Sequence, residues 1–296
     1  MEDIENILNS DDIYKLIAGI LVIGLLICLY CLYCFRDNDS IKILKNKSTK
    51  IPNIIHFVFG LKEQDEEFFF TYYLSVYSAW AMNKPDKIYF YYHYKPYGKW
   101  FNELQKISNI IFEYVDIPTH IGSKLLKKVA HKADIIRMNK LIERGGIYMD
   151  IDTISAKSYH HLLNNEVVLG KEGNYGICNA IMMTIPNSRF FKLWMDQYEE
   201  EFISDGWAEA SVIFPKKLYE KYPDLISLQE QDVFFYPGPT ETDKIFKYKY
   251  DISPNLVTLH LWETFSINYL RKIDIKWLQE NKHTLYSKII SRFISL

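Results

Sequence analysis

Residues 130–153 restrict the fold of this chain more than any other stretch. A segment of helix length, with Ile135, Met138 and Ile142 on one face, runs into Gly145-Gly146 and then into an apolar run at 147–151. That spacing predicts a helix over 130–143, a stop at the glycine pair and a strand over 147–151. Glycine permits the sharp turn, so helix and strand are expected to form one rigid unit. Asp150 and Asp152 stand two apart at the strand's end, and period-two alternation predicts that both carboxylates leave the same face. Like charges that close repel unless a divalent cation sits between or near them, and oxygen ligation suits Mg²⁺ or Mn²⁺. The carboxyl end of a strand in an open α/β sheet is also where ligands bind. Asp134 and Arg137, three apart, share a second helix face, so Arg137 can pair with Asp134 or fork onto a phosphate or ribose-bearing ligand.

The rest of the chain supplies a domain around that unit. Apolar runs at 54–59, 87–92 and 109–115 read as strands, and 68–82 has helix length. Further strands are expected at 167–170, 177–184 and 256–261, with helices at 189–203 and 208–222. Alternating elements predict a single α/β domain with a parallel or mixed sheet covered by helices. Residues 273–296 mix apolar and basic side chains, and a helix packed on the domain is the expectation. The 296 residues are 48% hydrophobic and 24% charged, which excludes a disordered chain. With 35 basic against 37 acidic residues there is no electrostatic footprint for a nucleic-acid partner.

Before the domain, residues 16–35 carry no formal charge. At 1.5 Å per residue such a run crosses a hydrocarbon core of roughly 30 Å. The expected layout is an acidic tail at 1–12, a transmembrane helix at 13–35, a basic stem at 36–50 and a catalytic domain at 51–296. The acidic start argues against a cleaved signal peptide. Arg36, Lys42, Lys45, Lys47 and Lys50 outnumber Lys15, which by the positive-inside rule puts the domain in the cytoplasm. The sequons beginning at Asn38 and Asn46 point the other way, so a single-pass protein is expected without its side being settled. Cys28, Cys31 and Cys34 lie in or at the end of the apolar run, which leaves Cys178 as the sole cysteine of the domain.

Several separate stretches resemble the glycosyltransferases with the DXD sugar-binding motif, a family that includes fungal initiating mannosyltransferases and the catalytic domains of clostridial glucosylating toxins. Residues 51–60 (IPNIIHFVFG) are similar to the family's opening strand and 130–153 to its central signature. Residues 178–183 (CNAIMM), followed by Pro186-Asn187, resemble its next strand. His260 and Trp262 resemble its C-terminal His-x-Trp pattern, although the residues after it diverge, and 205–250 matches nothing in the family.

The resemblance implies a GT-A fold and transfer of a hexose from a nucleotide sugar, UDP- or GDP-linked, to a glycan, protein or lipid acceptor, usually with retention of configuration. By motif position Asp152 would bind Mn²⁺ or Mg²⁺ directly, and Asp150 would contact the metal shell and the donor's ribose or sugar. Asp134 and Arg137 would hold the donor sugar, Tyr148 would add a donor contact, and Asn179 would lie near the anomeric centre. Phe59 stands where the family has a tryptophan stacked on the base; it keeps a π-face but offers less area and no N–H. His260 would be a third metal ligand. Two other classes compete with this reading. One is a phosphatase of the haloacid-dehalogenase type, whose acidic motif would stand nearer the start of the domain. The other is a membrane-anchored binding protein that keeps the fold without turnover.

Overall fold

The computed structural model of the chain describes residues 21, 24 and 50–294. The apolar segment at 16–35, its cysteines and the basic stem fall outside the described residues apart from Leu21, Gly24 and Lys50. Among the described residues no helix is long and apolar enough to cross a membrane. The chain divides into two compact units, Met1–Ser48 and Thr49–Leu296, and the second carries the sheet and the site.

The sheet starts with β1 (Ile54–Val58), which pairs in parallel with β2 (Lys87–Tyr92), itself parallel to β3 (Ile110–Tyr114). Helix α1 (Phe70–Asn83) makes the crossover from β1 to β2. It ends at Lys84 in the left-handed region, followed by Pro85, which cannot continue a helix. A short hairpin, β4 (His120–Ile121) and β5 (Lys124–Leu125), precedes α3 (Val129–Arg144), the helix α2 (Lys99–Leu104) having come before β3. Then β6 (Gly146–Met149) inserts beside β1 in parallel. Three more strands complete the sheet: β8 (Val167–Glu172), β9 (Gly176–Thr184) and β10 (Ser227–Gln229), in the order β10-β8-β9-β6-β1-β2-β3. Strand β9 is antiparallel to both its neighbours, so the sheet is mixed. The small pair β7 (Thr153–Ser155) and β11 (Thr258–His260) stands apart from it.

Alternation along the strands sorts the core into two faces. Ile55, Phe57, Ile147 and Met149 enter one apolar cluster, while Val58, Tyr148 and Met182 enter the other with α3. Leu141 and Met138 anchor α3, with Ile135 buried and Ile142 half-buried.

The glycine pair does what the sequence predicts. Gly145 (φ 65°) stops α3 and Gly146 (φ 99°) opens β6, both in backbone conformations that L side chains rarely adopt. A Cβ at Gly146 would lie 2.5 Å from Cγ1 of Ile54, so β6 can sit this close to β1 only with glycine there. His56 fastens the turn, with Nε2 2.8 Å from the Gly145 carbonyl and Nδ1 2.9 Å from the Tyr91 hydroxyl.

Three expectations need correction. The strand predicted over 147–151 ends at Met149, so Asp150 and Asp152 lie on a turn and not on one face of a strand. The helix predicted over 189–203 breaks into α4 (Arg189–Asp196) and the single turn Tyr198–Glu201, and that break lets Tyr198 face inward. The helix predicted over 208–222 is a π-helical turn, Glu209–Ile213, followed by α-helix Phe214–Lys221, with Pro215 in its first turn where a missing N–H costs nothing. The C-terminal stretch packs on the domain as expected, but as two short helices, Ile275–Glu280 and Leu285–Ile290, that bury Leu278, Tyr286 and Ile289.

Candidate active site

The site forms where the chain leaves the main sheet for the small one. The Asp150 N–H still donates to the Ala180 carbonyl of β9 (2.8 Å), and the Thr153 hydroxyl closes the turn on the Asp150 carbonyl (2.7 Å). Strand β7 then pairs with β11, and the register sets His260 opposite Thr153. The Leu261 N–H donates to the Asp152 carbonyl (2.8 Å), which fixes β11 against the turn. Asp150, Asp152 and His260 thereby each bring one ligand atom within 4.8 Å of the others. Sequence spacing could not show this, because the contact spans about a hundred residues of chain.

Each carboxylate is held on one oxygen. Asp150 Oδ1 accepts from the Tyr148 hydroxyl (2.6 Å) and lies 3.1 Å from Nη1 of Arg137. Asp152 Oδ2 accepts from the Glu263 N–H (2.7 Å) and lies 3.3 Å from Nε2 of His260, while the buried Nδ1 of His260 has no hydrogen-bond partner. Burial pushes the Asp150 carboxyl above the usual range, against the pull of Arg137. Burial pushes Asp152 the same way, but His260 and the Glu263 N–H outweigh it and hold that carboxyl low. His260 is raised by Asp152 in spite of a burial effect that opposes it.

Beside this turn the second and third turns of α3 supply the wall. Arg137 is buried; besides Asp150, its Nη1 donates to the Asn179 carbonyl (3.0 Å), and its guanidinium lies over the Tyr148 ring at 4.4 Å. Its Nε is 3.5 Å from Asp134 Oδ1 and makes no hydrogen bond. Asp134 instead accepts from Asn179 Nδ2 (2.7 Å) and from the Tyr198 hydroxyl (2.9 Å). Asp134, Arg137, Tyr148, Asp150 and Asn179 are thus one hydrogen-bonded group. Phe59, just past β1, is half-buried against Phe68 and Tyr72, each 5.2 Å between centroids.

Tyr72, Tyr198 and Glu263 belong to no motif that sequence reasoning picks out. Tyr72 donates to Glu263 Oε1 (2.7 Å), and burial with Asp152 nearby pushes the Glu263 carboxyl up to about 7. Trp262, whose Nε1 donates to the Pro237 carbonyl (2.8 Å), sits in the left-handed region at φ 57°. That conformation is costly for a bulky residue, and here the Glu263 N–H following it meets Asp152. The divergence after His260-x-Trp262 was the one signal that something differs here.

Comparison with known proteins bears on the family of the chain. Residues 38–169 match the model of the glycosyltransferase sugar-binding region containing the DXD motif. Glucan organizing enzyme 1 of Cryptococcus neoformans var. grubii is 31% identical over 270 residues, covering 84% of this chain and 72% of that protein. Lactosylceramide 4-alpha-galactosyltransferase of Pongo pygmaeus is 26% identical over 150 residues, covering 47% of this chain and 66% of that one. Among solved structures, the glycosyltransferase GlyE of Streptococcus pneumoniae is 16% identical, with a TM-score of 0.45 over 83% of this chain and 63% of its own. The PaToxG glycosyltransferase is 18% identical, with a TM-score of 0.42 over 59% of this chain and 71% of its own. With the Asp150-x-Asp152 turn inside the matched region and a relative that aligns along most of both chains, this protein belongs to the glycosyltransferases whose sugar-binding region contains the DXD motif.

Proposed function

We propose that this enzyme, in a GT-A-type arrangement, moves a hexose from a UDP- or GDP-linked donor to a hydroxyl of a glycan, protein or lipid acceptor, with retention. The observation that carries the reading is the meeting of Asp150, Asp152 and His260 beside the group built on Asp134 and Arg137. Family membership sets aside the phosphatase reading, and the galactosyltransferase named for lactosylceramide supports including lipid hydroxyls among the acceptors.

The residues fit a divalent cation. The hydrogen bonds fall on Oδ1 of Asp150 and Oδ2 of Asp152, so each carboxylate keeps a second oxygen, and His260 has a buried nitrogen without a partner. Two carboxylates and an imidazole suit Mn²⁺ or Mg²⁺. A bound ion would supply Lewis-acid stabilisation of the departing diphosphate.

The chain's own groups do the rest. Arg137 and Tyr148 orient the Asp150 carboxylate, while the Glu263 N–H orients Asp152. Asp134 and Asn179 form the wall for the donor sugar, and Phe59 offers a ring to the base. In the transfer the bond from the anomeric carbon to the diphosphate oxygen breaks, and the acceptor oxygen bonds to that carbon from the same face. The acceptor's proton passes to the departing diphosphate, so the site needs no separate base. We also assign 16–35 as a single membrane span, to be tested by protease protection of a C-terminal tag in sealed vesicles.

The test is release of nucleoside diphosphate from a panel of UDP- and GDP-hexoses with Mn²⁺ or Mg²⁺. One donor should be turned over, and Asp152→Asn should abolish both transfer and donor hydrolysis while circular dichroism is unchanged. Near wild-type turnover in that variant, or no turnover of any donor, overturns the proposal.

A further inference from the structure

Asp134 is 4% exposed, and both of its oxygens are held from inside the protein. Oδ1 accepts from Asn179 Nδ2 (2.7 Å) and Oδ2 from the Tyr198 hydroxyl (2.9 Å). Burial and the Asp134 charge push the Tyr198 phenol well above its usual range, so the hydroxyl keeps the proton it donates. The two donors differ in origin. Asn179 stands on β9 within the main sheet, whereas Tyr198 opens the single turn that follows the break after α4.

That turn is fixed from two sides. Tyr198 stacks on Phe202 at 6.1 Å between centroids, and His131, three residues before Asp134 on α3, meets Phe202 edge-on at 4.8 Å. From the surface the β4–β5 hairpin grips it. The Ser123 N–H (2.7 Å) and hydroxyl (2.8 Å) both donate to Glu199 Oε1, and Lys124 Nζ donates to the carbonyls of Glu199 (2.5 Å) and Phe202 (2.8 Å). Gly122 makes room for this grip: its φ is 53°, and a Cβ there would fall 1.7 Å from Glu199 Oε2. The Tyr198 hydroxyl therefore reaches Asp134 from a rigid support.

A carboxylate accepts hydrogen bonds, so what Asp134 takes from a donor sugar is the proton of a hydroxyl. At 4% exposure it has room for one such hydroxyl. Which one it meets depends on the direction of the carboxylate plane, and the Tyr198 bond on Oδ2 sets that direction. We infer that Tyr198 is a positioning residue for donor selection: it aims Asp134 at a single hydroxyl of the donor hexose and so decides which hexose is accepted. The inference rests on the assignment of Asp134 to the donor-sugar wall.

The test uses the full-length chain and nucleotide hexoses that each lack one sugar hydroxyl, with nucleoside diphosphate release as the readout. In the wild type one analogue should fall about a hundredfold or more below its parent donor in kcat/KM, because the group built to meet that hydroxyl is left unpaired. Tyr198→Phe keeps the ring on Phe202 and removes only the hydroxyl. It should shrink that one ratio about tenfold, chiefly by slowing the parent donor, and leave the ratios at the other positions as they were. A purely structural defect would slow parent and analogues alike. Glu199→Ala, which opens the exposed contact with the hairpin, should shrink the same ratio by a smaller factor, and Glu199→Gln, which keeps an oxygen for Ser123, should restore it. This pair decides the matter if Tyr198→Phe fails to fold. The inference is overturned by the absence of such a loss in the wild type, by an unchanged ratio in Tyr198→Phe or in the Glu199→Ala that stands in for it, or by equal changes at every position. If the wild type turns over no donor, the donor reading falls and this inference with it; with wild-type turnover and an unchanged ratio, this inference falls alone.

Discussion

The hydroxyl of Tyr72 donates a 2.7 Å hydrogen bond to Oε1 of Glu263, across 191 residues of sequence. Tyr72 lies on α1 and Glu263 three residues after the end of β11, so this contact ties the crossover helix to the segment that follows His260. Among the described residues Tyr72 is the hydrogen-bond donor to the half-buried Glu263 side chain, and Tyr72→Phe removes it. An unsatisfied buried acceptor costs about 1–3 kcal/mol, and the urea midpoint should fall accordingly with little change in slope. An unchanged midpoint would mean that the pair adds nothing to stability.

Arg137 and Lys are not equivalent here. Nη1 of the guanidinium meets both Asp150 and the Asn179 carbonyl while the guanidinium carbon lies 4.4 Å from the Tyr148 ring centroid, and the compact ammonium of lysine does not reproduce that combination. Arg137→Lys should lower kcat/KM for the donor by roughly a hundredfold through misplacement of Asp150. Arg137→Met leaves Asp150 without its buried partner and should destabilise the fold by about 3–5 kcal/mol. Donor kinetics and thermal unfolding on the two variants check both values.

Acid should weaken the fold through His56. Burial lowers this imidazole from 6.5 to about 4, in spite of its bond to the Gly145 carbonyl. The folded state therefore binds fewer protons than the unfolded state between those values. The stability associated with the neutral ring is fully present above pH 6.5 and is lost progressively as the pH falls toward about 4. The total is about 3 kcal/mol. Denaturant midpoints measured across that window should fall in the wild type and flatten in His56→Gln; parallel slopes would refute the assignment.

A divalent ion that binds only the folded site should raise the melting temperature. At a hundred times its dissociation constant, Mn²⁺ adds about 2.7 kcal/mol. The shift should vanish in Asp152→Asn and shrink in His260→Ala. A full shift in His260→Ala would remove that residue from the ligand set.

Much of this molecule is written in local pattern. The short apolar runs of β1, β2 and β9 and the helix stop at Gly145-Gly146 follow from rules that act over a few residues, and so they were legible. The helix at 189–203 was misread for the opposite reason. Its continuous pattern favours one helix, but the inward turn of Tyr198 toward Asp134 interrupts it, and a tertiary contact of that kind leaves no periodic trace. The Asp150 and Asp152 pair was found by spacing, although a turn and not strand alternation aims their side chains.

The sequence by itself therefore determined the alternating α/β architecture, the rigid helix-turn-strand unit and the two aspartates at its end, because propensity, glycine stereochemistry and hydrophobic period are properties of neighbours in the chain. Only the tertiary structure decided that His260 meets those aspartates, that Arg137 is buried among Asp150, Asn179 and Tyr148, and that Tyr72 reaches Glu263. Such contacts depend on which strands pair and in what register, and that choice is made by burial summed over the whole domain.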